Sequence, residues 1–172
     1  MKRRSALQLF TIGYEGVSLA DFLATLKAAG VQQLLDIREL PISRRKGFSK
    51  TALSTALADS GIAYSHERAL GSPRALRHRL RDDGDLARFF EDFRAYLATQ
   101  RSLLDTLART TAGAVALLCY ERDHCECHRS IVSAALARRS QTTVEHLTVP
   151  LHGHQQTSHP PRPHSRQSLS AA

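Results

Sequence analysis

The chain has 172 residues, 42% hydrophobic and 23% charged, a balance that suits one folded domain and excludes wholesale disorder, collagen-like and coiled-coil classes. No apolar run approaches the ~18 residues of a spanning helix, and Met1-Lys2-Arg3-Arg4-Ser5 leads straight into a strand-like segment, so we expect no membrane span, no signal peptide and a cytoplasmic location. The formal charge is +8, and 20 of the 24 cations are arginine, whose planar forks favour carboxylate and phosphate and point to a nucleotide or nucleic acid, although a high-GC coding sequence enriches arginine too.

In chain order, Leu7 to Ile12 reads as a first strand that Gly13 exits sharply. Ser18 caps a helix carrying Leu19, Phe22, Leu23 and Leu26 until Gly30 ends it. Val31 to Ile37 is a second strand. After a loop with Pro41 and Gly47, Ser49 opens a helix that stops at Gly61, and Ile62 to His66 is a third strand. Residues 67–84 are arginine-rich and contain Gly71-Ser72-Pro73, which predicts a loop there, with room for one short helix. From Asp85, Leu86, Phe89, Phe90, Phe93, Tyr96, Leu97, Leu103, Leu104 and Leu107 recur at helical spacing, predicting one long helix to about Arg109. Its aromatic stripe is better read as core than as a base-stacking platform.

The continuous apolar run from Gly113 to Tyr120 suits a strand covered on both faces. A helix from about Cys127 to Arg139 and a strand from Val144 to Val149 complete the body. Repeated strand-helix units predict an α/β three-layer sandwich, Rossmann-like, with a mostly parallel sheet of about five strands and right-handed crossovers. Residues 1–150 form the single domain in this reading. Residues 151–172, with four His, three Pro and almost no apolar side chain, read as a disordered tail, which leaves +6 on the body.

Ligands of open parallel sheets bind beyond the carboxyl ends of the strands. The residues expected there are Tyr14 and Glu15, Asp36 and Arg38, His66 and Glu67, and Cys119, Tyr120 and Glu121. Alternation puts Asp36 and Arg38 on one side, where they pair or share a ligand, one moving a proton and the other holding an anion. The loop from Ser43 and Arg44 to Lys50 brings four cations beside a helix start, a phosphate-favouring arrangement if it is more than a solvated basic loop.

The segment from Cys119 to Ser130 is the densest in chemistry. Three cysteines, Cys119, Cys125 and Cys127, cannot all pair within one chain, and their placement argues against a disulfide scaffold. As a metal site the segment offers His124, Cys125, Cys127 and His128, but this spacing is not that of structural zinc, and we assign no metal. As a nucleophile, Cys127 near a helix start beside His128 and Arg129 would have a lowered thiol pKa, which Glu121, Asp123 and Glu126 oppose. The Cys-x5-Arg loop of cysteine phosphatases is absent. We prefer Glu121 as a strand-end acid or base, with Cys127, His128 and Arg129 as an anion-recognising helix start. The plainer alternative has Cys127 buried as a small hydrophobe and Arg129 knitting the rim through Asp36 or Glu121.

Four blocks in register resemble the domain of unknown function 488 family: Thr11-Ile12-Gly13-Tyr14-Glu15-Gly16; Asp36-Ile37-Arg38 with Pro41, Ser43, Arg44 and Gly47-Phe48-Ser49; Gly61 to Tyr64 with Leu70-Gly71; and Leu118 to Glu121 with Cys127-His128-Arg129. The resemblance spans about residues 7 to 150. It implies an α/β domain with a shared site at Gly13, Asp36, Arg38, Glu121 and Cys127 to Arg129, and it carries no established activity with it.

The leading expectation is therefore a small enzyme acting on an anionic, phosphate-bearing ligand at the strand rim. Asp36, Arg38, Glu121 and Cys127 are its candidate catalytic residues. Gly13, Tyr14, Glu15, Ser43, Arg44, Gly71, His128 and Arg129 would bind the ligand. A non-catalytic nucleic-acid-binding module is the alternative, and a thiol or persulfide-handling protein built on Cys127 is a third reading. No motif calls for a cofactor.

Overall fold

The computed structural model describes residues 6–151, so nearly all of the segment expected to be a tail lies outside the described residues. Five strands, β1 (Leu7–Gly13), β2 (Gln33–Asp36), β3 (Ala63–His66), β4 (Gly113–Cys119) and β5 (Val144–Leu147), form one all-parallel sheet in the order β3-β2-β4-β1-β5. The expected α/β sandwich is thus observed.

Alternation along the strands divides the core in two. Even-numbered Phe10, Ile12, Leu34, Ala116 and Leu118 face α1 (Leu19–Ala28) and α2 (Lys50–Asp59), which contribute Phe22, Leu26, Leu53 and Leu57. Odd-numbered Leu9, Leu35, Val115 and Leu117 face α4 (Leu86–Thr99), α5 (Arg101–Thr110) and α6 (Arg129–Ser140), which supply Phe93, Leu97, Leu104, Val132 and Leu136. Each fully buried Leu or Phe stabilises the fold by roughly 1.5–3 kcal/mol relative to exposure, so two such layers hold the sheet rigidly. Ser18 caps α1 as expected, its hydroxyl accepting from the Asp21 amide at 3.1 Å.

Two expectations need correction. Residues 67–84 are mostly helical: a 3-10 turn at Arg68–Leu70 is followed by α3 (Arg74–Asp83), started at Pro73 and ended by Gly84 in the left-handed conformation. The segment from Asp85 to Arg109 is two helices, because the chain turns at Gln100 between α4 and α5. Helix α6 also begins two residues later than expected, at Arg129, so Cys127 lies in the turn before it.

The connections after β1 and β2 run over the α1/α2 face, whereas the one after β4 runs to α6 on the other. Beyond the carboxyl ends of β1, β2 and β4 the chain therefore parts to opposite sides, which opens the crevice expected at such a switch point.

Candidate functional site

A cleft of about 440 Å³ occupies this crevice. It is lined by the loop residues Leu40 and Ile42 to Arg45, by Ser72, Arg77, Leu80 and Phe89, by Cys119, Glu121 and His128 from the end of β4 onward, and by Tyr14, Tyr120, Arg38, Glu39 and Glu126.

Asp36 and Arg38 form a buried pair, of which Arg38 lines the cleft. The Arg38 Nε donates to Asp36 Oδ1 at 2.9 Å and Nη2 reaches Oδ2 at 2.5 Å, while Nη1 donates to the Tyr14 hydroxyl at 3.0 Å and the Phe48 carbonyl at 2.8 Å. Tyr64 donates its hydroxyl to Asp36 Oδ2 at 2.8 Å. Burial, with the negative charge of Asp36 behind it, pushes the Tyr64 phenol well up against the weaker opposing effect of Arg38. Of the two ways these residues were expected to act, the structure shows the pairing: they hold β2 to the Phe48 loop, and Tyr14, stacked on Phe48 at 4.4 Å, completes the support.

The rim is knitted by backbone contacts that explain two glycines. A β-carbon on Gly13 would overlap the Glu121 carbonyl, and one on Gly71 would overlap the backbone of Glu39. Gly13 and Gly71 thus act by permitting close approach, and neither offers a ligand group of its own. The Tyr14 and Glu15 amides both donate to the Tyr120 carbonyl, at 3.1 and 2.9 Å. The Glu15 carboxylate accepts from the Arg122 amide at 3.1 Å, and Glu15 is not among the cleft-lining residues.

Arg129 is almost fully buried and turned away from the cleft. Its guanidinium donates to the Glu121 carbonyl and, at 2.9 Å, to the Arg122 carbonyl. It fixes the strand end that carries Glu121. Of the expected helix-start trio, only His128 reaches the cleft.

Fold topology brings together Cys119, Glu121, Cys127 and His128, whose sulfur, oxygen and nitrogen donor atoms all lie within 4.8 Å of one another. The Cys119 thiol donates to Glu121 Oε2 at 3.0 Å and lies 3.7 Å from His128 Nδ1. Burial works to raise the Glu121 carboxyl, but hydrogen bonds from Cys127 and Cys119 and the nearby His128 outweigh it and hold the group below its usual range. Burial pushes both thiols up, Cys127 strongly, with Cys119 adding to the effect at Cys127 and His128 opposing it. This corrects the expectation of a lowered Cys127 pKa: a buried thiol beside a carboxylate is a poor free nucleophile. Burial works to lower His128, yet Cys127, Glu121 and the Ile37 carbonyl together raise it.

Cys119 was visible in the sequence only as a strand-end residue, and the metal set weighed there does not assemble. Cys125 is exposed and His124 stacks on His146 at 3.7 Å. Two more residues stand out. Ser72 is buried with a hydroxyl that has no hydrogen-bond partner, and it lines the cleft. Arg44 is exposed, lines the same cleft and makes no hydrogen bond or ion pair among the described residues. The other cleft arginines are committed, Arg45 to the Val17 carbonyl at 2.6 Å and Arg77 to Glu39 at 2.6 Å.

No helix of the described residues is long and apolar enough to cross a membrane. A family model, described as a domain of unknown function, DUF488, matches residues 18–136. No curated protein and no solved structure matches the chain.

Proposed function

The chain belongs to the DUF488 family of domains of unknown function, and from that premise we propose that the rim cleft is the active site of a small enzyme acting on an anionic, phosphate-bearing ligand of nucleotide size. The observation that carries this reading is that one cleft is lined both by Arg44, whose guanidinium has no partner among the described residues, and by Ser72, whose buried hydroxyl has none either. A buried hydroxyl without a partner costs about 1–3 kcal/mol, and a ligand oxygen toward which the Ser72 hydroxyl turned would recover that. Arg44 supplies a planar charged fork suited to phosphate. Leu40, Ile42 and Tyr120 are the large apolar side chains exposed around the same opening, a surface fit for the flat, less polar part of a nucleotide.

Glu121 takes the proton-transferring role. Its carboxylate lines the cleft, half-buried, accepts from the Cys119 thiol at 3.0 Å and is an acid just beyond the end of β4, a group of the type that moves protons. Asp36 and Arg38 act as positioning residues, since each satisfies the other, Arg38 lining the cleft with its guanidinium committed to Asp36.

The test is a turnover screen of the full chain against nucleoside mono-, di- and triphosphates and short oligonucleotides. A substrate found this way should be bound by Glu121→Gln but turned over about 10²–10⁴-fold more slowly. Full turnover by Glu121→Gln would overturn the assignment. Binding confined to polynucleotides, steeply salt-dependent and without turnover, would replace it with a nucleic-acid-binding module.

A further inference from the structure

We propose that Cys119, Glu121, Cys127 and His128 bind a single zinc ion at the floor of the cleft. The four side chains reach one point from two places that the fold makes neighbours. Cys119 and Glu121 come from the end of β4, and Cys127 and His128 from the turn into α6. A tetrahedral zinc with sulfur at about 2.3 Å and nitrogen or oxygen at about 2.1 Å has donor-to-donor edges of about 3.4–3.8 Å. Cys119 Sγ and His128 Nδ1 already stand 3.7 Å apart, and every donor pair lies within 4.8 Å. Closing on an ion asks for side-chain shifts of about 1 Å or less.

The second ring nitrogen of His128 is already engaged. Nε2 lies 3.3 Å from the Ile37 carbonyl, which can only accept, so Nε2 carries the hydrogen and Nδ1 keeps a free lone pair; the Cys119 sulfur stands 3.7 Å from Nδ1 and 4.0 Å from Nε2, so the ring would turn to bring that lone pair onto a shared ion. Metal-bound histidines are generally fixed through the second ring nitrogen in this way. The neighbouring cation does not compete for the donors, because the Arg129 guanidinium is turned onto the Glu121 and Arg122 carbonyls. Gly13 admits the Glu121 carbonyl beside β1, so both neighbours serve to place the carboxylate.

The donor chemistry selects the ion. Two thiols, an imidazole and one carboxylate suit zinc, whereas magnesium and calcium take oxygen sets. Cys119, Glu121 and His128 line the cleft and Cys127 does not, and these four ligands would complete the tetrahedral shell, so the ion would be a structural one that fixes the floor of the cleft. Glu121 bound through one oxygen would keep the other for proton transfer. Ion binding itself stands independently of the enzymatic reading, and its test reads metal rather than turnover. A second trio, Asp123, His124 and Cys125, also has its donors within 4.8 Å, but it offers three donors at the surface, with Asp123 Oδ1 already accepting from the Cys125 amide at 2.8 Å.

Full-length protein freed of metal by chelator should take up one cobalt ion per chain, with a thiolate-to-cobalt charge-transfer band and the strong visible absorption of tetrahedral cobalt. One equivalent of zinc should abolish both. Cys119→Ser and Cys127→Ser should each weaken zinc binding by more than about 100-fold, beyond the cost of losing an outer partner, and Cys125→Ser should leave it unchanged. Cobalt bound without a thiolate band, as the histidines between positions 152 and 164 would bind it, would overturn the proposal. So would failure to bind one equivalent, or loss of the site in Cys125→Ser alone. Because the band is read on the wild-type chain, a serine variant that fails to fold does not remove the test.

Discussion

Gly13 lies so close to Glu121 that a β-carbon at position 13 would occupy the space of the Glu121 carbonyl and crowd the Arg129 guanidinium that donates to it. Here a residue at the end of β1 sets the place of the floor carboxylate at the end of β4. The backbone of Gly13 is not in the left-handed region, so its requirement is one of space.

Gly13→Ala should therefore destabilise the fold by about 1–3 kcal/mol, the usual cost of overfilling a packed site. Urea midpoints of the variant and wild type measure it. A midpoint unchanged from wild type would show that the β1 and β4 ends can separate without cost.

Asp36→Asn should be more damaging. It leaves the Arg38 guanidinium buried without its counter-charge, at a cost of about 3–5 kcal/mol. Replacing both residues by apolar groups of similar size should recover much of the loss, because the pair itself contributes little beyond an apolar equivalent. Equal losses in the single and double variants would argue against this account.

Tyr64 donates to the same carboxylate, and the sign of its pH effect follows. Its phenol is pushed above the ordinary value of 10.0 by burial first and by Asp36 second, so the unfolded chain releases this proton before the native one does. The contribution is whole below about pH 10 and is lost as pH rises toward the folded value. Stability measured between pH 9 and 11.5 should fall less steeply in Tyr64→Phe than in wild type. Parallel curves would remove Tyr64 from the alkaline transition.

Thiol reactivity separates the three cysteines. Cys125 is exposed, whereas Cys119 and Cys127 are buried. A disulfide reagent added to native protein should label one thiol quickly and two only on unfolding, and Cys125→Ser should remove the fast phase. A fast phase that survives in Cys125→Ser would place a reactive thiol in the cleft.

Much of the fold is legible in the sequence because its punctuation is local. Ser18, Gly30, Ser49 and Gly61 bound their helices, and the apolar run after Gly113 marks a doubly covered strand. The break at Gln100 is hidden because Leu97 and Leu104 are seven residues apart, two helical turns, so the apolar stripe keeps its phase across the turn. Helix α3 is hidden for a different reason. It buries no residue, and Leu76 and Leu80 are its only large apolar side chains amid four arginines, which reads as a polar loop.

The site was half legible for the same physical reason. Strand ends put Tyr14, Arg38, Glu121 and His128 near one rim, since a parallel sheet gathers all its carboxyl ends on one side. Which donors meet depends on contacts across the rim. A set of four near neighbours, 124, 125, 127 and 128, looks compact in the sequence, but the 3-10 turn at His124–Glu126 carries Cys125 outward. The thiol of Cys119, eight residues from Cys127, takes the place beside His128. Ser72 gave no signal at all, because a serine matters here only through its burial without a partner.

Equilibrium binding of a fluorescent nucleoside triphosphate to the full chain, at fixed ionic strength, tests the central claim of a phosphate-binding cleft most directly. One saturable site is predicted, weakened about tenfold or more by Arg44→Ala, as loss of a charged hydrogen bond entails, and by a smaller factor by Ser72→Ala. Lys46→Ala, which alters an exposed cation of the same loop outside the cleft, should bind like wild type. Equal affinities in all four proteins, or a loss as large in Lys46→Ala as in Arg44→Ala, would contradict the assignment and leave only the general basic charge of the chain.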